Sequence, residues 1–345
     1  MIDFRYHLVS LISVFLALAV GIVLGAGPLQ NSIGTQLTEQ VNQLRADRDE
    51  LREQLATSTA AVTHRDEFTL ASTPALVSGT LTGRSVAVIE LPGVEQDVVE
   101  PLTEAIATAG GSVTGRIRIT ENWTAADKEA DRTGALSSLT GELPSGYVPT
   151  DGSTAERLAQ VLATSTVTSA GTTLTGTSST DAAKALNGLS TAELIEVDGD
   201  LNGLASGALL VAPVNPEATG AAQATAPVTG EVASAYVALA GRLDSTGGGA
   251  VITGPASSAA SGGVLTAIRE DDAVSSDVST VDTGSTAMGV ITAVLALEEQ
   301  LSGGSGSYGF AEGVDEISPP ITARTSTSEP ESGSSANSSK KGDGE

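Results

Sequence analysis

Cysteine is absent from the 345 residues, and the chain holds only two histidines, two methionines and one tryptophan. Without cysteine there is neither a disulfide framework nor a thiolate metal site, and the redox character of the compartment leaves no mark. The histidines are His7 and His64, both ahead of any globular pattern, so no imidazole lies there to act as a general base. No G-x-S-x-G elbow and no G-x-x-x-x-G-K-[ST] loop is present, and the one G-x-G-x-x-G match, Gly304 to Gly309, follows a helix pattern instead of a strand. The sequence thus offers no catalytic residue and no cofactor-binding residue, and an enzyme is not expected. Aromatics make up 3%, which leaves stacking platforms for bases, sugars or flavins poorly supplied. Basic residues are scarce as well, 17 against 42 acidic ones, and a net charge of −25 repels nucleic acid and anionic lipid head groups. No nucleic-acid partner is expected.

What the chain does have begins with Leu8 to Gly27, LVSLISVFLALAVGIVLGAG, a run without a charge. A helix of about 20 such residues spans a hydrocarbon core of about 30 Å, which places Leu8, Phe15 and Leu24 in lipid. A cleavable signal peptide is the rival reading, but its apolar region is usually about 7–15 residues, and the length favours a retained anchor. Phe4 and Tyr6 stand where interfacial aromatics do. Arg5 and His7 precede the run, and no Lys or Arg follows until Arg45, a bias that puts the N-terminus in the cytoplasm and the rest outside it. Residues 1–28 are therefore read as a cytoplasmic N-terminus and single transmembrane anchor, with membrane lipid as its partner.

Residues 29–66 read as a coiled-coil stalk. Leu37, Val41, Leu44, Leu51 and Leu55 keep a 3-4 spacing with Arg48 in the missing place. With Leu37 at d, the a positions are Val41, Arg48 and Leu55, and Leu44 and Leu51 are d. Asp47 at g then faces Arg52 at e of a parallel partner, an attraction of about a few tenths of a kcal/mol. The rival is an amphipathic helix folded back on its own domain. Anchoring favours the coiled coil, because single-pass chains side by side are already parallel and concentrated, and the expected state is a homodimer or higher oligomer.

Residues 67–301 read as an extracytoplasmic α/β domain. Ser85 to Glu90 is a short apolar run closed by Pro92-Gly93, Val98 to Ala109 is a helix ended by Gly110-Gly111, and Val113 to Ile119 is a strand, the order of a parallel βαβ crossover. Gly207 to Ala212 and Gly249 to Thr253 repeat the strand pattern, with helices over Glu231 to Leu243 and Ala287 to Leu301. Continuous apolar strands suit a layered sheet covered on both faces, not the alternating strands of a transmembrane barrel. Gly247-Gly248-Gly249 is read as a turn, Glu270-Asp271-Asp272 as a solvated surface, and His64 to Glu67 as a helix-terminal charge cluster. Residues 302–345, rich in Ser, Gly, Pro, Thr and Glu, read as a disordered tail.

The opening MIDFRYHLVSLISVFLALAVGIVLGAG, the heptads, GRSVAVIE followed by AGGSVTGRIRIT, and DVSTVDTGSTAMGVITAVLALEEQLSGGSGSYG together resemble the actinobacterial copper transporter family, that of the mycobacterial copper transport protein B. The resemblance implies a cell-envelope membrane protein linked to copper export or homeostasis, channel-forming or accessory, with copper as a transported ion only. Relatives linked to cell separation act with a partner membrane protein, and this implies the alternative of a dimeric scaffold or regulator of the envelope. If copper is handled directly, the candidate ligands are His64, Met288 and carboxylates, a set without the soft donors that Cu(I) prefers. One apolar helix cannot line a channel alone, so conduction requires an oligomer.

Overall fold

A computed structural model describes residues 4–169, 177–199, 201, 203–215 and 230–321. The chain divides into two units, Met1–Phe68 and Thr69–Glu345.

The first unit is the greater part of one helix, α1 (Phe4–Val77). Its opening stretch, Phe4–Gly25, is long and apolar enough to cross a membrane, with a mean hydropathy of 2.7, and Leu8, Phe15 and Leu24 are exposed along it. Farther on the sequence is dense in Leu, Gln, Glu, Arg and Ala, residues that lose little side-chain freedom in a helix. Leu37, Val41, Leu44, Leu51 and Leu55 are all exposed on it. Arg48 donates to its neighbour Asp49 at 2.7 Å, and Arg52 stands 3.9 Å from the same carboxylate, so in the single chain both guanidinium groups turn to Asp49.

The second unit is mixed α/β around one seven-stranded, mostly parallel sheet. Its elements are β1 (Ser85–Glu90), α2 (Gln96–Thr108), β2 (Ser112–Ile119), α3 (Glu129–Glu142), α4 (Thr154–Thr166), α5 (Thr177–Thr191), β3 (Ile195–Asp198) and β4 (Gly207–Val211). They continue with α6 (Gly230–Thr246), β5 (Ala250–Thr253), α7 (Val264–Arg269), β6 (Ser279–Val281), α8 (Ala287–Gln300) and β7 (Ser307–Tyr308). The strand order is β3-β2-β1-β4-β5-β6-β7, and only β3 runs antiparallel, against β2.

Side-chain parity explains the layers. Successive residues of a strand point to opposite faces, and here both faces are apolar. Val86, Val88, Leu209, Val211 and Val251 pack with α2, α8 and Val77 from the last turns of α1. Ala87, Ile89, Ala208, Leu210, Ala250 and Ile252 pack with α3 to α7. Strands clothed on both sides cannot alternate with polar residues, which is why β4 and β5 are buried at every position.

Local signals set the element ends. Gly110 takes φ 82°, the left-handed turn that closes α2 before β2. Ser153 and Glu156 form a reciprocal capping box at the start of α4, and Thr286 caps α8 by accepting from the Gly289 N–H. The α/β unit also reaches past Leu301, the end expected from the sequence. Ser307–Tyr308 pairs with Thr280–Val281, Tyr308 is buried, and order continues to Ile321. Residues 322–345, the remainder of the expected tail, lie outside the described residues.

Gly289 shows how closely this layer packs, because a methyl group there would overlap the Thr283 carbonyl and the backbone beyond it. Gly289→Ala should cost about 1–3 kcal/mol of stability. Gly134, in the middle of α3 with nothing within 4 Å of an added methyl, should instead gain about 0.5–1 kcal/mol as alanine. Urea denaturation of the two variants checks the opposite signs; equal midpoints would show that the close contact at Gly289 is not present.

Candidate functional site

Open parallel sheets present their binding crevice at the carboxyl ends of the strands, where the order of connections reverses. Here that reversal falls between β1 and β4. Buried polar residues that end or follow strands on this edge include Glu90, Thr253 and Asp282, each 1% exposed or less.

Glu90 is enclosed by β2 and α2. Arg116 donates to Oε1 through Nε at 3.0 Å and Nη2 at 2.7 Å, Gln96 donates to Oε2 at 3.0 Å, and Arg118 Nε lies 3.4 Å away. Arg116 and Arg118 are two residues apart on β2 and so share a face. The antiparallel pairing sets Glu196 opposite Arg118 and Asp198 opposite Arg116. Arg118 reaches Glu196 at 2.6 Å, a bond that is the first cause of its raised pKa, and Arg116 stands 3.9 Å from Asp198. A ladder of alternating charge thus crosses three strands, β1, β2 and β3.

Asp282 is closed in the same manner. Arg269 at the end of α7 donates to Oδ2 through both terminal nitrogens at 3.2 Å, and the backbone N–H groups of Phe310 and Ala311 donate at 2.9 and 3.1 Å. Arg269 also reaches the Thr280 hydroxyl at 2.8 Å and the Tyr308 carbonyl at 3.3 Å. Both strand-end carboxylates are therefore engaged by arginine, and neither is left open for a metal ion. Among the described residues the buried hydroxyls of Thr253 and Thr283 find no hydrogen-bond partner.

The two candidate ligands named from the sequence lie in different units. His64 is exposed on α1 with Nδ1 3.3 Å from Glu67, and Met288 is 36% exposed in the first turn of α8. Among the described residues no three His, Asp or Glu side chains stand together in a way that could hold a metal ion.

The feature that sequence reasoning missed is a cleft of about 890 Å³ on the helical face of α3, α4, α6 and α7. Its wall carries Glu129, Glu156, Glu231, Glu270 and Asp271, with Arg132 as the one cation among the described residues. Arg132 is spent, on Glu129 at 2.7 Å and on the carbonyls of Asn122 and Ala125 at 2.8 and 2.7 Å. Glu129 is held below the usual carboxylate range first by the Thr154 hydroxyl and then by Arg132, and Glu156 by the Ser153 backbone N–H and then its hydroxyl. Both carboxylates are thus charged at neutral pH. The only sequence signal was the Glu270-Asp271-Asp272 run, and nothing local to it indicates that α3 and α6 bring further acids beside it.

Removing Glu90 leaves Arg116, 21% exposed at its side chain, without its main partner, so Glu90→Ala should cost about 3–5 kcal/mol. Arg118→Ala should cost under about 1 kcal/mol, since that side chain is 40% exposed and solvent screens its pairs. Urea midpoints at constant m-value measure both, and similar losses in the two variants would contradict the assignment of Glu90 to Arg116.

Comparison with known proteins matches residues 1–319 to the family described as "Copper transport outer membrane protein, MctB". Similar proteins include the copper transporter MctB of Mycobacterium tuberculosis (strain ATCC 25618 / H37Rv), 28% identical over 324 residues, or 91% of this chain and 98% of the relative. The copper transporter MctB of Mycobacterium leprae (strain TN) is 29% identical over 330 residues, 93% of this chain and 100% of the relative.

Proposed function

The chain belongs to the MctB family of copper transport outer membrane proteins, and from that premise we propose that it is a non-enzymatic, membrane-anchored accessory component of copper homeostasis in the cell envelope. The observation that carries this reading is the donor set of the α/β unit. It has no cysteine and no histidine, and its most deeply buried carboxylates, Glu90 and Asp282, are closed by Arg116 and Arg269. Copper selects thiolate, thioether and imidazole ligands, so a chain of this composition is better suited to supporting a conducting partner than to chelating the ion.

Topology follows from charge. Arg5 and His7 ahead of the apolar span, with no basic residue after it before Arg45, favour a cytoplasmic N-terminus and an extracytoplasmic α/β unit. The exposed apolar positions Leu37, Val41, Leu44, Leu51 and Leu55 support a parallel coiled coil, hence a homodimer or higher oligomer. Conduction by the chain itself would need such an oligomer, and Leu8 to Leu24 supplies no charged or carboxamide side chain to line it. The same exposed seam favours the second reading, a dimeric scaffold or regulator of envelope and cell-separation processes acting with a partner membrane protein.

Cu(I) titrated anaerobically into residues 29–345 against a competing chelator should show no tight binding, and Cu(II) only a weak association that fades with salt. Stoichiometric binding abolished by His64→Ala or Met288→Ala would instead make this chain a copper carrier. Leu44→Pro removes a helix hydrogen bond at a cost of about 3 kcal/mol or more. Sedimentation of residues 29–301 should show a weak self-association that this substitution disrupts; a monomer at every concentration would sink the stalk dimer.

A further inference from the structure

We propose that the seam of α1 is closed by a helix of a different chain, one that carries acidic residues where it meets Arg45, Arg48 and Arg52. The inference rests on the reading of that seam as a coiled-coil surface and goes beyond it in naming the helix that completes it. Leu37, Val41, Leu44, Leu51, Leu55 and Val62 are exposed on α1, and with Leu37 at d, Val62 takes the a place one heptad after Leu55. Charge is sorted around these positions. Between Leu37 and Val62 the three basic residues, Arg45, Arg48 and Arg52, fall at e, a and e. Four of the five acids, Glu39, Asp49, Glu50 and Glu53, fall at f, b, c and f, away from the seam, and the fifth, Asp47, is at g. The stalk thus presents an apolar stripe edged with positive charge, in a chain whose net charge is −25.

A second copy meets this surface poorly. In a parallel pair a faces a, and e faces g of the partner. Arg48 then stands against its own counterpart, Arg45 against Gln40, and Arg52 alone against an acid, Asp47. In the single chain Arg48 and Arg52 turn to Asp49 at b, and with side chains 53% and 68% exposed these contacts are screened by water and easily given up. A helix with an acid at the a place opposite Arg48 and at the g places opposite Arg45 and Arg52 converts one repulsive and one neutral contact into attractive ones and keeps the third. Coiled coils choose partners in this way, by charge that repels the wrong helix as well as charge that attracts the right one. Self-association through the seam is weak for this reason, and the acidic helix is its tighter occupant.

The test titrates full-length protein in detergent with a fluorescent helical peptide of about four heptads, isoleucine at a and leucine at d, with glutamate at the three places that meet the arginines. An otherwise identical peptide carries lysine there. Anisotropy should show saturable binding of the glutamate peptide, about tenfold tighter than the lysine peptide, with a difference that shrinks as salt is added. Arg48→Glu should cut that preference at least about threefold. Arg48→Leu, which keeps the helix propensity, should tighten self-association in sedimentation. Equal binding of the two peptides, or a preference unchanged in Arg48→Glu, would overturn the charge-selected partner and leave the seam a coiled-coil surface. A stable dimer that neither peptide displaces would overturn it by assigning the seam to a second copy. A monomer that binds neither peptide would overturn both this inference and the coiled-coil reading beneath it.

Discussion

Burial of the central strands on both faces is the constraint from which the rest of the α/β unit follows. Once Val88 and Ile89, or Leu209 and Leu210, must each find a separate apolar layer, helices are required above and below. Alternating connections then carry α2 to one face and α6 to the other. The wide helical layer of α3 to α7 and the narrower one of α2, α8 and the end of α1 are the two solutions to that one demand. At the carboxyl ends of the strands charge is paired, Glu90 with arginines of the next strand and Asp282 with Arg269 of α7. A carboxylate at the position of Glu90 is tolerable because two arginines on the next strand meet it; alone it would cost several kcal/mol.

The same constraint explains what could be read from the amino-acid order. Ser85 to Glu90, Gly207 to Val211 and Ala250 to Thr253 are legible because double burial leaves a continuous apolar run, and Gly110 marks the helix stop by its backbone alone. The outer elements carry no such mark. Ser279-Thr280-Val281 and Ser307-Tyr308 are strands because Thr280 N–H bonds Gly306 and Asp282 N–H bonds Tyr308, contacts made across the chain and not foreshadowed by local propensity. The edge strand Ile195–Asp198 alternates buried and exposed residues over only four positions, too short to stand out from its surroundings. The cleft escaped for a related reason. Glu270 and Asp271 look like any solvated acidic turn until α3, α4 and α6 are folded beside them.

For copper, family and composition pull in different directions: the family is one of copper transport, and the chain has few of the soft donors that copper selects. The family match covers both the apolar helix and the α/β unit, so whatever is shared with the mycobacterial copper transporters is distributed over the whole length.

The last strand has a further consequence. β7 is a two-residue strip recruited from a glycine-rich segment, yet it covers β6, and Phe310 and Ala311 just beyond it supply two of the donors to Asp282. A nick between Leu301 and Ser307 that released this strip would uncover a row of unpaired backbone groups on β6 and half-strip a buried carboxylate of its donors. Exposed edges of that kind template strand addition from other molecules. The short segment therefore covers a sheet edge, and its proteolytic loss is expected to leave that edge open to strand pairing with other molecules.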